Sequence, residues 1–312
     1  ISTKKGKKGK ARVNYDGWVG FTQPTRMWSV LNAEQYIQIK NEGLSNVGAA
    51  ARYFPSYTND GKLINTNWAD VIYRQGVSHS HNLNVAGAND YTSYFFSFGY
   101  TNQQGMIKKN DFDRKTVRFN VDHKVNNWMS VGVNTSYANE LNEAAMNSGS
   151  LPGAAFASGG VGRLALTLPP NVGVYLNDGS YNIVGNAVGK MSNVETPTFW
   201  NPQPILDNNY SNTENNRIIG NVYVQIKPTK DITFRTSYGI DYLNTDNKNF
   251  YSKIQGDGFA LGGTAFSTLS KDKRWTLTNT LQYDKSFGSH SVNLLIGNEQ
   301  QRSTFEGFGL TR

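Results

Sequence analysis

The stretch Asp113–Tyr137, DRKTVRFNVDHKVNNWMSVGVNTSY, decides how the chain is read. Val117, Phe119, Val121 and Val125 alternate with Arg118, Asn120, Asp122 and Lys124. After Asn126-Asn127 the alternation resumes through Met129, Val131, Val133 and Tyr137. Two runs of period two across an asparagine pair predict a β-hairpin, each arm with one apolar and one polar face. Each arm is roughly 13 residues long, about twice the usual strand.

The pattern repeats outward from this hairpin. Segments 11–22, 78–88, 91–104, 216–227, 232–246, 271–284 and 290–303 alternate in the same way. With 113–125 and 128–141 they predict about nine antiparallel strands. A soluble sandwich is crossed by strands of about six residues, whereas a tilted membrane strand needs about 9–11. Tyr91, Tyr100, Trp128, Tyr137, Tyr242, Trp275 and Tyr283 lie toward strand ends, where an interfacial girdle places aromatics, although aromatics are also ordinary strand formers.

The connections carry a second signal. Tight turns are expected at 87–90, 126–127, 228–231 and 287–289, and long links at 23–77, 105–112, 142–215 and 247–270, in strict alternation. Outer-membrane barrels have this asymmetry, with short turns at one end and long loops at the other. A helix is predicted in the first long link, with Asn32 as cap, Gln35 completing a capping box and Gly43 at the C-terminal end. The Gly-, Asn-, Ser- and Pro-rich region 142–215 reads as a long functional loop.

Composition narrows the classes. Of the net charge of +8, Lys4, Lys5, Lys7, Lys8, Lys10 and Arg12 supply six. The rest is nearly neutral, so the basic run is local and a nucleic-acid partner is not expected. No cysteine is present, which excludes disulfides and thiolate metal sites. No run of about eighteen apolar residues exists to make a spanning helix, and the mean hydropathy of −0.54 is compatible with a barrel whose lumen and loops are polar. Without an initiator Met or signal segment, the chain reads as an internal piece.

Several stretches together resemble a known family: ISTKKGKKGKARVNYDG (1–17), LNAEQYIQIKNEG (31–43), WADVIYRQGVSHSHNLNVAGAND (68–90), the run from Tyr94 to Tyr137, and NNRIIGNVYVQIKPTKDITFRTSYGIDY (215–242). They are similar to the SusC/RagA-type TonB-dependent outer-membrane transporters of Bacteroidota. The resemblance implies an all-β fold: about nine strands from the first portion of a twenty-two-stranded transmembrane β-barrel, with long extracellular loops and one short helix. It implies that 1–10 closes the plug domain and joins it to the barrel, and that 11–312 begins the barrel. The implied function is TonB-dependent import of an oligosaccharide or peptide nutrient across the outer membrane. The implied partners are a SusD-like lid lipoprotein, TonB acting through the plug, the glycan or peptide substrate, and outer-membrane lipid. The alternative is a secreted or surface β-rich carbohydrate-binding or adhesin module.

The residues offer little for catalysis. His79 and His81 share a strand face but lack a third ligand at useful spacing, so no metal is expected. GDGFALGG (256–263) lacks the Lys-Ser/Thr of a phosphate loop and reads as a loop tip. Asp16, Asp122, Asp241 and Glu299 are scattered on polar faces and read as lumen lining. No enzyme activity and no cofactor are expected. The candidate substrate-contacting residues are the loop aromatics Tyr53, Phe54, Tyr57, Phe199, Trp200 and Tyr210, since sugars and peptides both pack on aromatic faces. Each is more simply read as packing its own loop.

Overall fold

The computed structural model describes residues 9–145, 160–185, 187–191 and 199–312. The lysine-rich stretch 1–8 lies outside them, as do 146–159 within the long 142–215 link.

Nine strands form one sheet: β1 (Gly9–Thr22), β2 (Gly76–Ala88), β3 (Thr92–Gln104), β4 (Asp111–Lys124), β5 (Met129–Ala144), β8 (Tyr210–Ile226), β9 (Ile232–Tyr251), β10 (Thr264–Phe287) and β11 (His290–Thr311). Their order in space is their order in sequence, and every pair is antiparallel. The other sheet among the described residues is a pair of two-residue strands, β6 (Ile183–Val184) and β7 (Ala187–Val188). Each apolar row therefore faces outward from a single sheet, and among the described residues no second sheet stands opposite it.

The turns at one end share a device. Asn89 Oδ1 accepts the backbone N–H groups of Tyr91 and Thr92, and Asn126 Oδ1 those of Trp128 and Met129. Thr229 Oγ1 accepts from Asp231 and Ile232, and Gly288 takes the positive φ (60°) of the last turn. Such side chains satisfy backbone donors that a tight reversal leaves without ladder partners.

Register fixes the two faces. Val133, Val222, Tyr238 and Leu277 form one paired row, and Val117, Tyr137, Ile218 and Tyr242 form another. Phe96, Phe98, Val133, Val222, Tyr238 and Leu281 on this face all remain exposed. The opposite face carries Ser80, Asn120, Asn215, Arg217, Asp241 and Thr268. Its amides and hydroxyls bond across strands: Ser80 with Thr101 (2.8 Å), Thr245 to Asn215 (2.7 Å) and Thr213 to Asn247 (2.8 Å).

Toward the long-link end the outward face turns polar as well. The last outward apolar residue before this change is Tyr100 in β3, Tyr137 in β5, Tyr242 in β9 and Ile296 in β11, followed by Asn102, Asn139, Asn244 and Asn298. Tyr137 and Tyr242 share a row, whereas Ile296 pairs with Leu281 and through it with Phe234, well toward the short turns. The upper edge of the band is thus level with the register across β5 to β9 and drops toward the short turns at β11. Tyr91, Trp128 and Tyr283 border the band at its short-turn side, and Tyr100, Tyr137, Tyr242 and Trp275 at the other.

The strands overrun the expected ones at the long-link end, so the β9–β10 link shortens to 252–263 and the link before β8 ends at 209. The expected helix is α1 (Ala33–Asn46), with both halves of the Asn32–Gln35 capping box formed. It does not stop at Gly43. It continues one turn to Gly48, whose φ of 70° closes a Schellman cap, with Ala49 donating to the Leu44 carbonyl and Gly48 to that of Ser45. Among the described residues three further short α-helices add to it, α2 (Trp68–Ile72), α3 (Gly160–Thr167) and α4 (Pro202–Asn208), with a 3-10 turn at Gly256–Leu261.

Candidate substrate-facing site

The long links fold onto one another. Trp68 and Ile72 from α2, Val161, Leu164 and Leu168 from the α3 region, Val188, Trp200, Ile205 and Tyr251 bury against each other in one apolar core. Polar side chains stitch it. Trp68 Nε1 donates to the Pro169 carbonyl (2.9 Å), Thr66 Oγ1 to Val172 (2.7 Å) and Asn171 Nδ2 to Phe54 (3.1 Å). The fully buried Asn182 and Asn201 brace Gly173 and Val174 through their amides, at 2.9 and 2.7 Å. A buried amide is stable only when so partnered. The links thus make a cap with its own core at one end of the sheet.

At the long-link ends of β1 to β4 an open groove of about 420 Å³ is lined by Trp18, Ser78, Gln103 and Phe112 of the polar face together with Phe21 and Asp111, within the size range of ligand pockets. Trp18 is 48% exposed on that face. Farther along the same wall Arg217 grips Asp241 through two hydrogen bonds, Nε to Oδ1 (2.9 Å) and Nη2 to Oδ2 (2.6 Å), beside Asp272 and Arg274. Near the short turns, Tyr223 donates to Asp122 and lies under the Arg235 guanidinium at 3.9 Å from its ring centroid. Gly132 makes room for that ring, since a Cβ there would lie 2.2 Å from it. The wall therefore offers an aromatic platform, amides and paired charges of both signs.

The six expected contact residues scatter. Tyr53 and Trp200 are buried, Trp200 inside the core that the links share and Tyr53 edge-on to Tyr36 at 5.8 Å within its own link. Phe199 leans partly buried on the core. Phe54 and Tyr57 are exposed, Tyr57 bridging to Leu63. Tyr210 is not a loop residue: it opens β8 and stacks on Phe250 (5.7 Å) along the outward face. Trp18 was missed, although it breaks the parity of its strand by placing a ring among Asn14 and Asp16.

In the cap, burial and the neighbouring Tyr53 push the Tyr36 hydroxyl up to about 12, and Lys40 sits 5.6 Å over its ring. Burial likewise raises the Asp257 carboxyl. Asp16, Asp122, Asp241 and Glu299 all fall on the polar face. His79 and His81 pack on each other (5.2 Å) on the outward face, where His81 Nδ1 meets the Tyr15 hydroxyl. Among the described residues no group of three or more His, Asp or Glu is placed to hold a metal ion.

This geometry is that of a section of a β-barrel wall, apolar on one face, polar on the other and capped by its long loops. No family model matches the chain. It is 26% identical over 292 residues to TonB-dependent receptor P26 of Formosa agariphila, covering 90% of this chain and 27% of the relative. It is 26% identical over 334 residues to TonB-dependent receptor SusC of Bacteroides thetaiotaomicron, covering 99% and 30%. Among solved structures it superposes on the RagAB peptide transporter with a TM-score of 0.73 at 20% identity, covering 99% of this chain and 37% of that one. On the closed-closed RagAB peptide importer the TM-score is 0.71 at 21% identity, covering 99% and 36%. The chain resembles the SusC/RagA-type TonB-dependent receptors in both sequence and fold, and spans about a third or less of the length of these curated relatives. The names these relatives carry are those of receptors and importers.

Proposed function

We propose that the complete protein is a TonB-dependent importer of the bacterial outer membrane, and that this span forms part of its barrel wall and extracellular cap. The carrying observation is the uncovered apolar band, bounded by aromatics at both margins, on a sheet whose other face is lined by amides, hydroxyls and charges. In lipid every backbone group must be paired, so the free edges of β1 and β11 call for further strands to close a barrel. On this reading residues 1–10 are the plug-to-barrel junction, and a SusD-like lipoprotein covers the cap.

The substrate class favoured by the wall is a peptide or oligosaccharide. Trp18 supplies a stacking face, Ser78 and Gln103 hydrogen bonds, and the Arg217–Asp241 and Asp272–Arg274 groups recognition of both charge signs. The RagAB likeness favours the peptide, which carries amides and both charges along one chain. A β-rich adhesin needs its apolar rows buried between two sheets, and no described residues supply the second. The test is uptake by the native bacterium of fluorescent oligopeptides and oligosaccharides, with the gene intact or deleted and with TonB depleted. Loss of uptake on deletion and on TonB depletion supports the proposal. Uptake unaffected by either, or partition of the full product into buffer without detergent, overturns it.

A further inference from the structure

Above the apolar band the outward face changes sign across the sheet. On β4, β5 and β8 the outward positions beyond the band include Asp111, Asp113, Glu143 and Glu214, with Arg74 paired to Asp111 and Lys115 to Asp113. On β10 and β11 they are Lys271, Lys273 and Arg302. All three are exposed, and none makes an ion pair with a described residue. Glu306 stands opposite Lys271, so the cluster is net positive.

The register places these charges together. Lys271 and Lys273 point the same way on one strand, Arg302 pairs with Trp275, and Lys273 pairs with Thr304, so Arg302 lies on the diagonal from Lys273, at about 7 Å. Directly below, Trp275 stacks on Tyr238 (6.1 Å), and the outward column continues through Leu277 and Leu281 toward Ile296. A cation cluster set immediately above an outward column of half-buried Trp275 and Leu277 and exposed Leu281 and Ile296 is an amphipathic surface whose complement has an anionic head and apolar tails.

We infer that Lys271, Lys273 and Arg302 form a docking site for the phosphorylated headgroup of an outer-leaflet lipid, whose acyl chains lie along Trp275, Leu277 and Leu281. This rests on the membrane reading above. The guanidinium offers phosphate a two-pronged contact and the two ammonium groups act as point charges. A soluble anion has no use for the apolar column below, and a purely apolar tail none for the cations, so the juxtaposition selects a phospholipid or phosphoglycolipid.

The test uses the full-length receptor in neutral detergent micelles, titrated with bis-phosphorylated lipid A while thermal unfolding is followed. The wild type is expected to gain stability saturably. The variant Lys271→Gln/Lys273→Gln/Arg302→Gln should need at least tenfold more lipid A for half-saturation, while Lys271→Arg/Lys273→Arg and the acidic-side control Lys115→Gln stay near wild type. Dephosphorylated lipid A should give no saturable gain. Half-saturation unchanged in the triple variant, or equally shifted in Lys115→Gln, overturns the inference while leaving the importer reading intact. A full-length product that stays folded and monodisperse without detergent overturns both.

Discussion

Replacing Trp68 by alanine tests whether the loops form one cooperative cap. Trp68 is 2% exposed, packs in the shared core with α3 and α4, and donates its indole N–H to Pro169. Truncating a buried Trp costs about 3–5 kcal/mol. The orphaned Pro169 carbonyl adds about 1 kcal/mol. At 1.36 kcal/mol per decade, amide exchange in the cap should accelerate by at least about two orders of magnitude. Trp68→Phe, which keeps most of the packing and loses only the hydrogen bond, should cost about 1 kcal/mol. Hydrogen exchange read by mass spectrometry on the detergent-folded receptor resolves this by segment. The expected result is loss of protection at 160–168 and 202–208 as well as at 66–73, with β4, β5, β8 and β9 unchanged. If only 66–73 loosens while 160–168 and 202–208 keep their protection, the loops do not share one core and the reasoning fails.

Three further outcomes follow from particular contacts. At Gly76 a Cβ would lie 2.1 Å from the Gln104 carbonyl oxygen, so Gly76→Ala must prise β2 from β3 and should cost about 1–3 kcal/mol, seen as a lowered midpoint in urea refolding into micelles. Burial raises the folded-state pKa of Asp257, so its contribution to stability is present below the ordinary carboxylate range and lost as pH rises through the raised value; Asp257→Asn should increase exchange protection of 252–263 at about pH 7 and make no difference at about pH 3. On β8, Val222→Arg puts a charge in the apolar band and should cost about 2–4 kcal/mol of folding into bilayers, whereas Asn221→Arg on the polar face should be tolerated; equal costs would contradict the assignment of faces.

The sheet was legible where its two faces differ in chemistry. Alternation such as Val117–Asp122 needs one greasy and one wet side, so the nine strands could be placed wherever the apolar band runs. Their upper ends were invisible for the converse reason: Asn244, Asp246 and Lys248 face outward on β9 above the band, both faces are polar there, and no period remains to read. The cap helices are too short and too buried for a periodic stripe. Asn201 followed by Pro202 was nonetheless a readable start, since asparagine caps and proline suits the first turn, and α4 begins there. Gly43 misled because glycine is tolerated inside a helix when a better left-handed stop, Gly48, follows. Burial of Trp200 depends on partners such as Trp68, more than a hundred residues away, and no local pattern carries that information, whereas Tyr53 is covered from within its own link by Tyr36 and Asn41.

The most direct measurement of the central claim is a single-cysteine scan of β9 from Phe234 to Asp241, in a span that has no cysteine of its own and with any cysteine elsewhere in the receptor replaced by serine. Each variant of the full receptor, spin-labelled and reconstituted in bilayers, is tested for collision with oxygen, which concentrates in lipid, and with a water-soluble nickel chelate. Labels at 234, 236, 238 and 240 should favour oxygen, and labels at 235, 237, 239 and 241 should favour the chelate or be shielded from both. Equal oxygen accessibility at both sets, or its loss at the even positions because another protein layer covers them, would contradict the account.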